Sequence, residues 1–304
     1  MSENKNELRQ ADAIVTVEGI LAEKKLEAVK GPDGKDVIRG SLTVKVDDTH
    51  MITLNVYVGK LTNAGTENRA YSGMLTVMNE YKSIAEVGVE NATKLRCNKG
   101  ALQPNTYIDP SSGEPRTTVR YSASFVNRVD ENSKKPFTPQ GTFEVEGYIN
   151  SFREEVGKDG EETGRLVLTL LVPTYKMIEP LELIVPQEIA DNFTSIFEVG
   201  ETAKFFGILE NNVIVHEKTV EMAFGTAAPR EEYEYINERI ITGASVPYPE
   251  ETAYSVEAIK AAMTERSIEI DKMKADAAQN RKNSAQGSGV GQAQTSRPLP
   301  KFSI

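Results

Sequence analysis

The sequence contains no tryptophan, one cysteine and two histidines among 304 residues. The single thiol, Cys97, excludes an internal disulfide. His50 and His216 stand far apart without ligand spacing around them, which argues against a structural zinc site. No apolar run approaches the ~18 residues of a membrane span. The first ten residues, MSENKNELRQ, lack the apolar stretch of a signal peptide. These absences predict a cytoplasmic protein held together by its own core. Patterns for catalysis are missing as well. GSGVG is not followed by GK[ST], and VGKLT lacks the earlier glycine of a phosphate loop. Two remote histidines and an inward Cys97 leave no nucleophile and base. The carboxylate pairs Asp47–Asp48 and Glu154–Glu155 read as solvated turns rather than metal ligands. The expectation is a non-enzyme with no cofactor and no metal. A net charge of -10 argues against a polyanionic partner, unless that charge is unevenly spread.

What the chain does have is a repeat. YKSIAEVG at 81–88 returns as FTSIFEVG at 193–200, with Ser, Ile, Glu, Val and Gly in register. Upstream, VTVEGI at 15–20 matches FEVEGY at 143–148, and each is followed by a charged, glycine-bearing turn, KGPDGKD or VGKDGEE. Such turns supply the positive φ that a hairpin needs. Alternating segments come next, RGSLTVKV against RLVLTLLV and ITLNVYV against LELIVP, whose period of two marks strands. After the phrase, ATKLRC parallels TAKFFG, and TVRYSASF parallels TVEMAFG. Each copy therefore reads as strand, hairpin, strand, strand, a helix ending in EVG, strand, strand. That is the order of the OB-fold, a five-stranded Greek-key barrel that binds oligonucleotides. The predicted fold is mainly β: an OB-fold domain at 12–129, a linker at 130–141, a second OB-fold domain at 142–225, an irregular segment and C-terminal helix at 226–283, and a disordered tail at 284–304.

The helix, the EVG corner, the short polar bridge and a strand opening T-K or A-K resemble the bacterial single-stranded DNA-binding protein family and its phage relatives. The resemblance covers both barrels. It implies a tandem duplication of that family's OB-fold and single-stranded DNA as ligand. The departures are two barrels in one chain, no tryptophan for stacking, and a tail ending RPLPKFSI instead of an acidic tip with terminal phenylalanine. The resemblance therefore says nothing of a tail function like the family's.

Charge separates the two copies. Residues 12–129 carry 15 Lys or Arg against 14 Asp or Glu, whereas 142–225 carry 6 against 16. Only the first copy offers a surface for polyanions. Alternation turns Leu42, Val44, Ile52, Leu54, Leu95, Cys97 and Tyr121 inward and leaves Arg39, Lys45, Tyr57, Lys94, Arg96 and Arg120 outward. Cations that neutralise phosphates beside a ring that stacks a base are the means of sequence-tolerant single-strand binding. The long hairpin at 98–118 adds Lys99, Tyr107 and Arg116 at an edge where OB-folds grip strands. The first hairpin adds Lys24, Lys25, Lys30 and Lys35, interleaved with Glu23, Glu27, Asp33 and Asp36. In the second copy, Lys45 aligns with Leu171, Ser41 with Val167, Arg96 with Phe206 and Arg120 with Glu221. An apolar outward face there predicts packing on the first copy, on another subunit or on another protein.

Residues 251–283 show apolar positions at spacings of three and four, interrupted by Arg266, which fits either a short coiled coil or a helix laid on a barrel. The functional expectation is coating and protection of single-stranded DNA in replication or recombination, encoded by a phage or mobile element. Replication or recombination proteins would be recruited through the second domain or the tail, and a homo-oligomer and the absence of any membrane partner are expected. The competing reading is a protein-interaction scaffold that never touches DNA.

Overall fold

Period-two alternation builds the first barrel. The computed structural model describes residues 8–130, 132–220 and 228–287. Strands β2 (Asp36–Lys45) and β3 (Met51–Gly59) bury Leu42, Val44, Ile52, Leu54 and Val56 and turn the residues between them outward. Each such side chain contributes roughly 1.5–3 kcal/mol when fully buried. Strand β1 (Ala13–Lys30) serves two neighbours: its first half pairs with β4 (Lys94–Ile108), its second half with β2. The handover falls at Gly19, where a Cβ would lie 2.3 Å from the Lys45 carbonyl oxygen. Only glycine lets the backbones approach so closely. Strand β5 (Pro115–Ser122) is antiparallel to β4 and parallel to β3 through Leu54↔Tyr121 and Asn55↔Ser122. The closed order β1–β2–β3–β5–β4–β1 is that of the OB-fold.

Between β3 and β4, helix α1 (Arg69–Glu80) starts where the Asn68 side chain accepts the Ala70 amide at 3.0 Å. That bond satisfies one of the donors a helix start leaves open. Its face of Ala70, Met74 and Val77 is buried in the core. The single-turn α2 (Ile84–Val87) and a two-residue β6 (Asn127–Arg128) on β4 complete the unit.

The second barrel repeats the plan with β7 (Gln140–Val156), β8 (Glu162–Pro173), β9 (Ile178–Val185), α3 (Gln187–Ile196), β10 (Thr202–Val220) and β11 (Ala228–Ala244). Its order β7–β8–β9–β11–β10–β7 again closes through a parallel contact, Ile184↔Ile240. Phe193 packs on Phe197 with ring centroids 5.1 Å apart and edge-on to Phe152 at 5.5 Å, a heavier core than the aliphatic one of the first barrel.

Two expectations require correction. In the second copy the fifth strand position is taken by β11, in the tyrosine-rich segment expected to be irregular, so the barrel extends past 225; of the expected strand TVEMAFG, Thr219 and Val220 end β10 and 221–225 lie outside the described residues. Residues 208–218 belong to β10, which pairs with β11 from Phe205↔Ala244 out to Val220↔Ala228. PREEYEYINERIITGA mixes carboxylates with tyrosines and carries no aliphatic period of two to mark it as a strand. The repeated phrase also differs between copies. In the first, α1 ends before it, and Ser83 starts α2 with a reciprocal cap, its amide donating to Glu86 Oε2 at 2.7 Å. In the second, α3 stops at Ile196 and FEVG follows outside the helix. Both corners keep a glycine at positive φ, Gly88 at 77° and Gly200 at 106°.

The barrels are joined edge to edge, β1 pairing with β7 from Ala13↔Val145 to Glu18↔Gln140, so that the eleven strands among the described residues form one sheet. Helix α4 (Val256–Gly287) lies against β4 of the first barrel and β9 of the second. Of the two arrangements its sequence allowed, it adopts the docked one. The tail residues 288–304 lie outside the described residues. No described helix is long and apolar enough to cross a membrane.

Candidate nucleic-acid interface

The outward residues of the first barrel form one continuous face because the strand registers bring them side by side. Arg39 lies opposite Tyr57, Ser41 opposite Asn55, and Thr43 opposite Thr53. Asn55 then meets Ser122 on β5, and the face passes on to β4 through the pairs Ala101↔Ser122, Gln103↔Arg120, Asn105↔Thr118 and Tyr107↔Arg116. The last three pairs belong to a β-ribbon built around the long hairpin at 98–118. Its turn is short, closed by hydrogen bonds between Asp109 and the Ser111 and Gly113 amides.

Two rings stand near the ends of this face. Tyr57 is 62% exposed and its hydroxyl reaches the β1–β2 turn, 3.2 Å from where a Cβ on Gly31 would sit. Tyr107 on the ribbon is 39% exposed. A third ring, Phe125, is 58% exposed just beyond β5. Sequence parity hid it, since 121, 123 and 125 share a phase and the first two are buried. β5 ends at Ser122, so the phase no longer applies at 125.

The cations on this face are paired but accessible. Arg39 Nε lies 2.6 Å from Glu27, Lys45 Nζ 2.8 Å from Asp48, and Arg116 Nε 2.8 Å from Asp109. Such exposed pairs contribute about 0–1 kcal/mol each, so a phosphate can take the carboxylate's place. Hydrogen bonds from Ser111 hold the Asp109 carboxyl low, at about 2, so it stays ionised beside Arg116. Among the described residues Arg120 and Lys99 have no ion pair. Arg120 lies on the face and Lys99 sits just before its edge at Gly100.

Arg96 is engaged away from the face, whereas Lys94 stays exposed beside the linker. Arg96 donates through two nitrogens, at 2.7 and 2.8 Å, to Glu18, a carboxylate only 2% exposed. It also donates to the carbonyls of Lys135 and Pro136 in the linker between the barrels. Burial pushes the Glu18 carboxyl up, but hydrogen bonds from Arg96 and the Thr138 amide outweigh it and hold the group below its ordinary value. Lys94 lies over the Phe137 ring at 5.1 Å. Both cations hold the linker, which outward parity on β4 could not reveal.

The register also corrects the alignment of the copies. Glu18 pairs with Arg96 as Glu146 pairs with Lys204, so Arg96 corresponds to Lys204 and not to Phe206. Glu146 is equally buried, and Arg9 reaches it from before the first barrel. The V-E-G repeat thus carries a buried, arginine-bound carboxylate in each barrel. Lys45 does correspond to Leu171: Ile20 faces the one as Tyr148 faces the other. On the outer face of the second barrel, Val167 and Ile184 are buried in a shallow groove shared with Arg153, Glu182 and Arg239.

A family model described as YorF matches residues 12–276. The chain belongs to the YorF family. No curated protein matches it. Among solved structures, this YorF-family chain is similar to the wild-type single-stranded DNA binding protein from Thermus aquaticus, with 12% identity, a TM-score of 0.47, and coverage of 79% of this chain and 95% of the other. A Replication Protein A heterotrimer bound to single-stranded DNA is similar at 10% identity and a TM-score of 0.24, over 88% of this chain and 71% of the other. At these values neither likeness bears on what the YorF-family chain binds.

Proposed function

We propose that the protein binds single-stranded DNA along the outer face of the first barrel, residues 12–129, and coats it without chemistry in replication or recombination, as the product of a phage or mobile element. The observation that carries this reading is the unbroken polar face from β2 to the β4–β5 ribbon, with an exposed ring and an arginine paired toward each end and Arg120 along it. Arg39, Lys45, Arg116 and Arg120 neutralise phosphates, Lys99 joins them at the edge, and Tyr57 and Tyr107 stack bases. Neutral Ser, Thr, Asn and Gln side chains fill the centre, which suits a ligand read by its backbone and ring faces rather than by sequence. The acidic second barrel serves as the surface for protein partners.

Titration of the full chain with fluorescent poly-dT at several salt concentrations tests this. Binding should weaken as salt rises. Arg120→Ala should remove one contact and reduce the slope of log K against log salt by about 0.7. Tyr57→Ala should cost about tenfold in affinity, within the range of one lost stack. Arg153→Ala with Arg239→Ala on the second barrel should change neither quantity. Failure to bind at low salt, or equal losses from the two barrels, would overturn the assignment.

A further inference from the structure

The β4–β5 ribbon has two unlike faces. Gln103, Asn105 and Tyr107 point to the proposed DNA side, while Leu102, Pro104 and Thr106 between them are buried. Strand β9 of the second barrel and helix α4 lie against β4 here. The Thr106 amide donates to Glu179 Oε1 at 3.0 Å and its hydroxyl to Oε2 at 2.6 Å, and Glu179 is 3% exposed. Arg266 of α4 reaches the same point, 2.8 Å from Thr106 Oγ1 and 3.4 Å from Glu179. Further along α4, Lys274 lies 2.8 Å from Glu114, and Arg281 donates to the carbonyls of Asp109 and Pro110 in the ribbon's turn. Three cations spaced seven and eight residues apart fall on one side of a helix, because two turns take about seven residues. All three contact the ribbon.

We propose that α4, through Arg266, Lys274 and Arg281, acts as a brace that holds the β4–β5 ribbon in its DNA-binding position, the three arginine and lysine side chains being positioning residues and not DNA contacts. A two-stranded ribbon projecting from a barrel is marginal on its own. Ordering it at the moment of binding would reduce affinity, whereas fixing it beforehand removes that cost. The inference rests on the single-stranded DNA reading only for its consequence; the brace itself is a property of the free protein.

The test uses the full chain with Lys274→Ala and Arg281→Ala together, both partly or fully exposed positions whose loss leaves the core intact. Amide hydrogen exchange of the free protein should accelerate at Tyr107, Ile108 and Arg116 while the β2 and β3 amides keep native rates. Unchanged exchange in the ribbon would overturn the brace. In poly-dT titrations the affinity should fall about fivefold with the salt slope unaltered, since no phosphate contact is lost. A slope reduced along with affinity would overturn the positioning role and make the two side chains direct contacts. A Tyr107→Ala, Arg120→Ala chain measured in parallel separates the two readings. If it binds poly-dT as the native chain does, the DNA assignment fails while the exchange result still judges the brace.

Discussion

Arg96 and Arg120 occupy outward positions on barrel strands of the first copy and look equivalent in sequence. Their surroundings give them opposite roles. Arg96 is 12% exposed and fully engaged by Glu18 and two linker carbonyls, while Arg120 has no ion pair among the described residues. Removing one partner of a buried pair leaves an uncompensated charge, a loss of about 3–5 kcal/mol in general. Arg96→Ala should destabilise the fold, moderated because the Thr138 amide still donates to Glu18 at 2.8 Å. Urea unfolding reads this as a lowered midpoint. Where the variant is folded, its salt slope for poly-dT should equal the native one. A native midpoint together with a reduced slope would restore Arg96 to the binding set.

Among the elements, β1 and β7 show how a shared pattern meets different packing. Both carry V-E-G at the point where the strand passes from one neighbour to another. A Cβ on Gly19 would meet the Lys45 carbonyl oxygen at 2.3 Å, whereas on Gly147 the nearest atoms are Leu170 side-chain carbons at 3.1 and 3.2 Å. A 2.3 Å approach to a carbonyl oxygen forces the strands apart, whereas a 3.1 Å approach needs a shift of only a few tenths of an ångström. Gly19→Ala should therefore destabilise by about 2–3 kcal/mol and Gly147→Ala by less than about 1 kcal/mol. Chemical denaturation of the two variants side by side checks the order, and equal midpoints would refute it. The same scale shows why β10 and β11 were less legible than β2 and β3. Inside a barrel one face of a strand must be apolar, which writes a period of two into the sequence. The arm beyond the barrel is held by its own hydrogen-bond ladder, and that leaves no such mark.

For the whole molecule, the junction between barrels includes a titratable group. His50, in the β2–β3 turn of the first barrel, places Nε2 2.6 Å from Glu210 on β10 and Nδ1 2.6 Å from Asp47. Hydrogen bonding to Glu210 raises its pKa, burial opposes this, and Asp47 raises it further. A raised folded-state pKa adds stability that is complete below the unfolded value, about 6.5, and is lost as pH rises through the folded value. The native chain should melt above His50→Gln at about pH 6, and the gap should close toward pH 9. A gap that is constant with pH would show that the imidazolium does not hold the barrels together. The backbone pairing of β1 with β7 also crosses the junction and is insensitive to pH.

The alternation of apolar residues and the recurrence of V-E-G and E-V-G pointed to two OB barrels, the core of the first, and the outward phase of Arg39, Tyr57 and Arg120. Those features are local, since a period of two and a glycine at a corner depend on each strand's own geometry. Tertiary structure alone decided that Arg96 and Lys94 are held by the linker and that Arg266 answers Glu179. It also decided that Phe125 is exposed and that α4 lies across both barrels. The contacts of Arg96, Lys94, Arg266 and α4 depend on which residues meet across 39 to 172 positions of sequence, and a side chain's charge does not specify its partner at that distance.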